Sequence, residues 1–262
     1  MSKQEENNSP IKRKPLRHAG QSIEEEINRI IDDKIMMYVI GTTYFVAMAI
    51  SQWGEYLSKT KINPVLMTII AIISITFTVF NTVKYRKKLK HLRQGRMGEC
   101  EVAEQLEWFV RERKCRVLHD VVNEKGNIDH VMISTKGIFT IETKTVSLRK
   151  KHDGQIHFDG EYITIDGFRS NKHVKQAAAE ANWLRTKLKE LIGFDFPTKG
   201  VLLYPGWWVD GMIGEIPKGP IWALKPENLF RYVDNLPERI TERDVNIITN
   251  TIAGLVRTPI PA

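Results

Sequence analysis

Cysteine is nearly absent from this chain of 262 residues, which carries only Cys100 and Cys115. Two cysteines cannot build a disulfide framework, so we expect the protein to occupy a reducing compartment. The histidines show no spacing typical of a zinc site, and no cysteine pair completes one. Walker, Rossmann-glycine and GxSxG patterns are also missing. These absences argue against disulfide-rich secreted proteins, zinc-finger proteins and the common nucleotide-binding and serine-hydrolase enzymes.

Residues 97–262 also lack the excess positive charge that a protein binding nucleic acid through charge alone would need. The whole chain has a formal net charge of +8, but residues 97–262 contain 23 Lys or Arg against 23 Asp or Glu. The excess is concentrated in residues 84–96 (KYRKKLKHLRQGR), which contain no acidic residue. We expect this segment to bind anionic lipid head groups, at about 1 kcal/mol per basic residue near the surface.

Two long runs lack any charged side chain, at residues 35–54 and 62–83. Each is long enough to cross an apolar layer of about 30 Å as a helix. Asn63 is expected to cap the second helix, with Pro64 in its first turn. Lys and Arg are concentrated outside the runs and sparse in the loop between them, which predicts that both termini are cytoplasmic. The sequence thus predicts a multi-pass hairpin in the cell inner (cytoplasmic) membrane. A buried hairpin of a soluble protein is the alternative, because the first run contains several polar residues.

The patterns divide the chain into four parts. Residues 1–34 are expected to form a cytoplasmic tail, disordered to residue 20, with a short amphipathic helix at 22–34. The transmembrane hairpin (35–83) and the basic linker (84–96) follow. Residues 97–262 are expected to form an α/β domain, and its elements are predicted as a helix at 94–112, a strand at 115–122, a β-hairpin, strands at 155–158 and 161–165, a helix at 171–192, strands at 200–204 and 221–224, and two C-terminal helices.

The β-hairpin carries the most informative residues. IDHVMIS (128–134) and IFTIETK (138–144) are β-rich segments, and an even register would place Ile133 opposite Ile138 and Asp129 opposite Glu142. Opposed residues share a face with Cβ atoms about 5 Å apart, and the period of two adds Lys144 to that face. Two carboxylates at this separation suit Mg²⁺. The grouping favours metal-assisted attack of water on a phosphodiester. A three-residue loop would instead shift the register by one. The alternative without a functional role is that Glu142 and Lys144 are simply solvated strand residues.

Four ordered segments, GRMGECEV (95–102), NIDHVMIS, GIFTIETK and a later helix containing Gln176, together resemble the nuclease-related domain called NERD. The resemblance covers roughly residues 93–192. It implies the PD-(D/E)XK nuclease superfamily and its restriction-endonuclease-like fold, a mixed sheet flanked by helices. The roles that it implies are metal ligands for Asp129 and Glu142, the catalytic lysine for Lys144, an accessory acid for Glu99 and a site-facing residue for Gln176. The Asn-Pro associated with the start of the second helix in this family is replaced by Asn171-Lys172.

Helical periodicity places Glu99 on one face with Val102 and Leu106, so its carboxylate is expected on the buried side. There it would either reach the active site or complement the helix dipole. Two basic clusters beside the predicted site would track phosphates or form ordinary solvated faces. The first cluster is Arg149, Lys150 and Lys151, and the second is Arg169, Lys172 and Lys175.

The sequence therefore predicts a membrane-anchored nuclease that hydrolyses nucleic-acid phosphodiester bonds with Mg²⁺, or with Mn²⁺ in its place, and that acts on DNA. A membrane-tethered module that binds nucleic acid or a protein without cutting is the main alternative. A metal-dependent phosphohydrolase acting on small nucleotides is the second alternative.

Overall fold

The computed structural model describes residues 16–58, 63–113, 115–124, 126–146, 155–210 and 219–257. They form two compact units. One unit comprises residues Ser22–Arg96, and the other combines Met1–Gln21 with Met97–Ala262. The second unit is therefore assembled from two separate stretches of the chain.

The unit Ser22–Arg96 is helical. Helix α1 (Gln21–Ile30) continues through a π-helical segment (Ile31–Met36) into α2 (Met37–Leu57). Helix α3 begins at Val65 and ends at Arg113. The helices 21–57 and 65–112 are both long and apolar enough to cross a membrane, with mean hydropathies of 1.4 and 2.0 in their most apolar windows. Two long apolar helices thus precede the sheets, as predicted.

Polar side chains within the two apolar runs form hydrogen bonds between α2 and α3. Thr42 Oγ1 lies 2.8 Å from Ser74 Oγ and 2.6 Å from Thr78 Oγ1. Trp53 Nε1 donates to Thr68 Oγ1 at 2.9 Å. These bonds satisfy hydroxyl and indole groups that would otherwise be costly in an apolar layer.

The start of α3 is capped as predicted, because Asn63 Oδ1 accepts a hydrogen bond from the Val65 N–H at 3.0 Å. The expected break between the basic segment and a helix starting near residue 94 is absent, since α3 is continuous from Val65 to Arg113. Lysine and arginine are good helix formers, and no proline interrupts the segment. Within the same unit, Lys88 and Arg96 form ion pairs with Glu26 (2.7 Å) and Glu24 (3.0 Å) of α1.

The second unit is mixed α/β and contains two sheets. A five-stranded sheet has the order β1-β2-β3-β7-β9, and a four-stranded sheet has the order β6-β5-β4-β8. The strands are β1 (Arg116–Asn123), β2 (Gly126–Ser134), β3 (Gly137–Thr143), β4 (Gln155–Phe158), β5 (Ile163–Ile165), β6 (Phe168–Ser170), β7 (Thr198–Leu203), β8 (Trp208–Asp210) and β9 (Ile221–Leu224). The helices that accompany them are α4 (Lys172–Ile192), α5 (Leu229–Asp234) and α6 (Glu242–Arg257). Strands β6 and β8 were not predicted from the sequence.

The β2–β3 hairpin has the predicted even register, with Ile133 opposite Ile138. A two-residue turn produces this register, since Ser134 pairs with Gly137. Strands β3, β7 and β9 are then parallel to one another. The hairpin therefore forms the antiparallel half of the large sheet, and β3 lies at its centre.

Apolar clusters lie on both faces of the large sheet. One contains Val102, Leu106 and Phe109 of α3 together with Phe139 and Ile141 of β3 and residues of β7 and β9. The other contains residues of β1 and β2 with the second half of α4 and with α6. The predicted buried face of the 94–112 segment is thus correct. Helices on both faces fix the position of the strand ends, where the polar residues described next are found.

Candidate active site

Three acidic residues lie level with one another across adjacent strands. The β2–β3 ladder stops at His130 and Ile141, and its register extended by one residue puts Asp129 opposite Glu142. The β1–β2 register likewise puts Asp120 level with Asp129. All three carboxylates are buried. The row crosses the sheet where the β2–β3 pairing ends.

Asp129 itself ends the pairing. Its Oδ2 atom accepts the backbone N–H of Thr143 at 2.7 Å, so a side chain replaces a strand carbonyl as the partner of that N–H group. The Lys144 N–H instead donates to the carbonyl of Leu203, at 2.8 Å, on β7. Strand β3 therefore stays paired with β7 at Glu142 and Lys144, beyond the end of its pairing with β2.

Glu142, Lys144 and Gln176 form one hydrogen-bonded group. Lys144 Nζ donates to Glu142 Oε1 and, at 3.1 Å, to Gln176 Oε1. Gln176 Nε2 donates to the same Glu142 oxygen at 2.8 Å and to Glu180 Oε1 at 2.9 Å. The structure thus brings Gln176, predicted as site-facing, to the two hairpin residues Glu142 and Lys144.

Glu99 reaches the group from α3, where it is buried as predicted. A Cβ atom at the preceding residue, Gly98, would lie only 2.1 Å from Thr145 Cγ2 and 3.6 Å from Thr143 Cγ2. Only glycine lets α3 approach the end of β3 this closely. The glycine of the GRMGE motif therefore has a local steric role beside the carboxylate that it precedes.

Sequence reasoning missed two acidic residues of the site, Asp120 and Glu180. Glu180 follows Gln176 by four residues on α4, a spacing that places both on the same helix face and could have been read from the sequence. Asp120 has a left-handed backbone with φ 51°, which the sequence pattern of the strand does not indicate. Asp120 Oδ1 accepts a hydrogen bond from Asn127 Nδ2 at 2.7 Å across the hairpin.

The electrostatics show that the carboxylates crowd one another. Burial and then the neighbouring Glu142 and Glu99 charges raise the pKa of Asp129 well above its ordinary value. Burial, Asp120 and Glu142 raise the pKa of Glu99 to about 7. Burial and Glu142 raise the pKa of Glu180 to about 8. Several acids held together in a low-dielectric site, with one lysine among them, favour the binding of a cation.

Three buried carboxylate oxygens of the site lack a hydrogen-bond partner among the described residues. Glu99 Oε2, Glu142 Oε2 and Glu180 Oε2 are buried and have no hydrogen-bond partner among the residues that the structure describes. Across the same residues, no group of three or more His, Cys, Asp or Glu side chains is arranged to hold a metal ion. Mg²⁺ commonly uses one or two protein carboxylates and takes its other ligands from water and phosphate oxygens. Asp129 and Glu142 are the pair that the sequence predicts for this role.

A cavity of about 490 Å³ opens beside the acidic group. Gln176 and Glu180 form one side of it together with Trp183, and Asn123 and Asn127 of the β1–β2 hairpin form the other. Its size lies within the range of ligand-binding clefts. The cavity gives a ligand of nucleotide size access to Gln176 and Glu180.

The predicted basic residues have different positions. Arg149, Lys150 and Lys151 lie outside the described residues. Arg169 donates to Asp159 Oδ2 at 2.7 Å and stacks 4.0 Å over the Tyr162 ring, so an ion pair and a cation–π contact already engage it. The last two predicted residues, Lys172 and Lys175, are exposed on the first turns of α4, the helix that carries Gln176.

Part of the chain matches a known protein family. Residues 94–205 match the nuclease-related domain, NERD. The predicted resemblance to this family is therefore confirmed. The NERD segment begins in α3 shortly before Glu99 and ends just after β7, so it contains the hairpin and the Gln176 helix. No curated protein matches the chain.

Proposed function

We propose that the protein is a membrane-anchored nuclease that hydrolyses DNA phosphodiester bonds with Mg²⁺, on a restriction-endonuclease-like fold of the PD-(D/E)XK superfamily. The observation that carries the proposal is the buried group around Lys144, in which carboxylate oxygens converge within a segment that matches a nuclease-related domain. A mixed sheet with helices on both faces supports the fold assignment.

Asp129 and Glu142 are the residues that would hold the metal. Asp129 keeps one carboxylate oxygen on the Thr143 N–H, which orients the other for a ligand. Glu142 keeps Oε1 on Lys144 and Gln176, which leaves its buried Oε2 for the same purpose. When bound, Mg²⁺ would supply positive charge for the scissile phosphate and lower the pKa of a bound water.

Lys144 acts on the attacking water in this proposal. Its ammonium group has three donors, and Glu142 and Gln176 accept two hydrogen bonds from it. The third can donate to the water or to a phosphate oxygen, and the carboxylates around the lysine can take up the proton that the water loses. Gln176 holds the side chains of Lys144 and Glu142 in position, because it forms hydrogen bonds with both and with Glu180.

The cavity beside Gln176 is where the nucleic-acid strand would enter. It is lined by the indole of Trp183 and by the amides of Asn123 and Asn127, groups that stack on bases and bond to their edges. The exposed Lys172 and Lys175 on α4 would contact the backbone phosphates. Because residues 97–262 carry no net charge, affinity has to come from such local contacts and the metal.

The membrane anchor is the helical hairpin of residues 35–83, whose two apolar stretches lie within the helices 21–57 and 65–112. Its two apolar stretches have the length and the hydropathy of membrane spans, and 6% of each apolar window is buried inside the protein. The excess of Lys and Arg in residues 84–96 supports a cytoplasmic position for this segment, in contact with anionic lipid.

The test is cleavage of a labelled panel of single- and double-stranded DNA and RNA by the purified full chain, with and without Mg²⁺. Asp129→Asn and Glu142→Gln should each remove most activity, because both remove a ligand charge at nearly constant volume. Lys144→Ala should lower the rate by about 10²- to 10³-fold, the usual cost of removing one donor to the charge that develops in the transition state. Glu101→Gln is the matched control, since Glu101 is an exposed glutamate on α3.

Three results would contradict the proposal in different ways. Full activity of Glu142→Gln would rule out this site. A wild-type chain that binds nucleic acid but cuts none of the panel would favour the membrane-tethered binding module. Hydrolysis of small nucleotides alone would favour a phosphohydrolase.

A further inference from the structure

The segment that precedes α1 is packed against the acidic residues of the candidate site. Residues 16–20 belong to the same compact unit as the two sheets, although more than seventy residues separate them from the start of that unit's main stretch at Met97. Arg17, Ala19 and Gly20 each contact it. Residues 16–20 are thus packed against this unit, although the sequence predicts a disordered tail up to residue 20.

Arg17 makes the strongest of these contacts. Its Nε atom donates to Asp120 Oδ2, and the two side chains are 18% and 0% exposed. The other oxygen of Asp120 accepts from Asn127. A fully buried carboxylate needs a charged partner, because an unpaired buried charge is strongly unfavourable. Arg17 therefore offsets part of the cost of burying the Asp120 carboxylate near Glu99.

Gly20 makes the second contact, with Glu99 itself. The Gly20 N–H donates a hydrogen bond to the Glu99 carboxylate, while Glu99 Oε2 remains without a partner among the described residues. Gly20 has a φ of 70°, in the left-handed region that glycine adopts readily, within the turn closed by the bond from Gln21 N–H to the His18 carbonyl. Next to it, the Cys100 thiol lies 3.9 Å from the carbonyl oxygen of Ala19.

We propose that Arg17 is a positioning residue of the site, which acts through Asp120 and, with the Gly20 turn, fixes the Glu99 carboxylate beside Asp129 and Glu142. The unit that carries the candidate site is then discontinuous in sequence, because residues 16–20, which precede the helical hairpin in the chain, complete it. Arg17 touches neither substrate nor metal in this role. The proposal rests on the proposed function only for its kinetic consequence, since the docking of the segment is a property of the folded protein.

The kinetic consequence separates positioning from substrate binding. Removing a residue that orients ligand-side carboxylates typically costs about 10- to 100-fold in activity or metal affinity. Arg17→Ala should therefore lower kcat by that factor and leave the KM for DNA and its salt dependence unchanged. If Arg17 contacted a phosphate, its loss would instead raise KM and reduce the salt slope.

Companion variants in the full chain, purified in detergent, test each contact. Arg17→Lys keeps the cation and should recover most of the lost activity. Asp120→Asn combined with Arg17→Ala should cost less than the two single changes together, because the buried charge that needed Arg17 is gone. Gly20→Ala, which strains the turn, should mimic Arg17→Ala. Arg185→Ala is the matched control, since Arg185 pairs with Asp195 on the surface, at 2.6 Å.

Two measurements that need no turnover keep the inference independent of the nuclease assignment. Hydrogen exchange of the peptide spanning residues 16–22 should show protection in the wild-type chain that Arg17→Ala removes and Arg185→Ala retains. Mg²⁺ titration should show affinity about 10- to 100-fold weaker in Arg17→Ala. Rapid exchange of this peptide in the wild-type chain would overturn the docking. Wild-type Mg²⁺ affinity and kcat in Arg17→Ala would overturn the positioning role. A wild-type chain that binds Mg²⁺ but cuts nothing would refute the proposed function and leave the Mg²⁺ comparison to decide the role of Arg17.

Discussion

The closest approach between α3 and the end of β3 gives a prediction whose size follows from the structure. In Gly98→Ala the new Cβ would meet Thr145 Cγ2 at 2.1 Å, so the Thr145 side chain or its surroundings have to shift. Overpacking of this kind costs about 1–3 kcal/mol, and the better helix propensity of alanine returns about 0.5–1 kcal/mol. We expect a net loss of about 1 kcal/mol, because the gain in helix propensity offsets part of the overpacking cost. For a unit of this size that corresponds to a fall in Tm of roughly 2–4 °C.

The control and the rescue are both present in the chain. Gly254→Ala lies in α6 where nothing is within 4 Å of the added Cβ, so it should be neutral or stabilise by up to about 1 kcal/mol. Thr145→Ser removes the clashing methyl group and should restore most of the stability and cleavage activity that Gly98→Ala loses. Thermal unfolding of the full chain in detergent, followed by near-UV circular dichroism, measures the four proteins. A Gly98→Ala variant as stable and active as Gly254→Ala would refute the steric argument.

Three further predictions concern the membrane, the linker and the protons of the site. The full chain should sediment with membranes and resist carbonate extraction, and reporters fused at residue 58 and at residue 262 should read external and cytoplasmic, respectively; a soluble full chain would contradict this. Glutamine at the basic positions of 84–96 should weaken binding to anionic vesicles without changing kcat on DNA, whereas a loss of DNA affinity with a smaller salt slope would make the segment a nucleic-acid contact. Because the pKa of Glu99 is raised to about 7 and that of Glu180 to about 8, these groups hold protons below those values, so Mg²⁺ binding should release protons near neutral pH and tighten as pH rises toward about 8. Calorimetry in buffers of different ionisation enthalpy measures the release, and a binding enthalpy independent of buffer would contradict it.

The hairpin was predictable because its information is local. Alternating β-branched residues and a turn of two residues fix the register, and the register alone puts Asp129 opposite Glu142. The buried face of the helix around Glu99 was equally readable from its period of 3.6. Local patterns could not indicate that this helix is continuous with the second apolar run. The basic segment 84–96 is compatible with a linker and with a helix, and its sequence does not distinguish the two.

Contacts between distant parts of the chain were not predictable. Arg17 and Asp120 are 103 residues apart, and neither the left-handed backbone of Asp120 nor the turn at Gly20 leaves a pattern that identifies the other partner. The parallel pairing of β3 with β7 is also non-local. Asp120 was therefore recognised as part of the site only in the three-dimensional structure. Glu180 could have been found from its spacing to Gln176.

The central claim is that buried carboxylates around Lys144 hold a divalent metal ion. Calorimetric titration of Mg²⁺ into the full chain tests it most directly, with Glu142→Gln as the perturbation and Glu101→Gln as the exposed control on α3. The account predicts saturable binding to the wild-type chain and to Glu101→Gln, and severe weakening in Glu142→Gln, because the unpartnered Oε2 of Glu142 loses its charge. Equal Mg²⁺ affinity in all three proteins, or no binding to the wild-type chain, would contradict it.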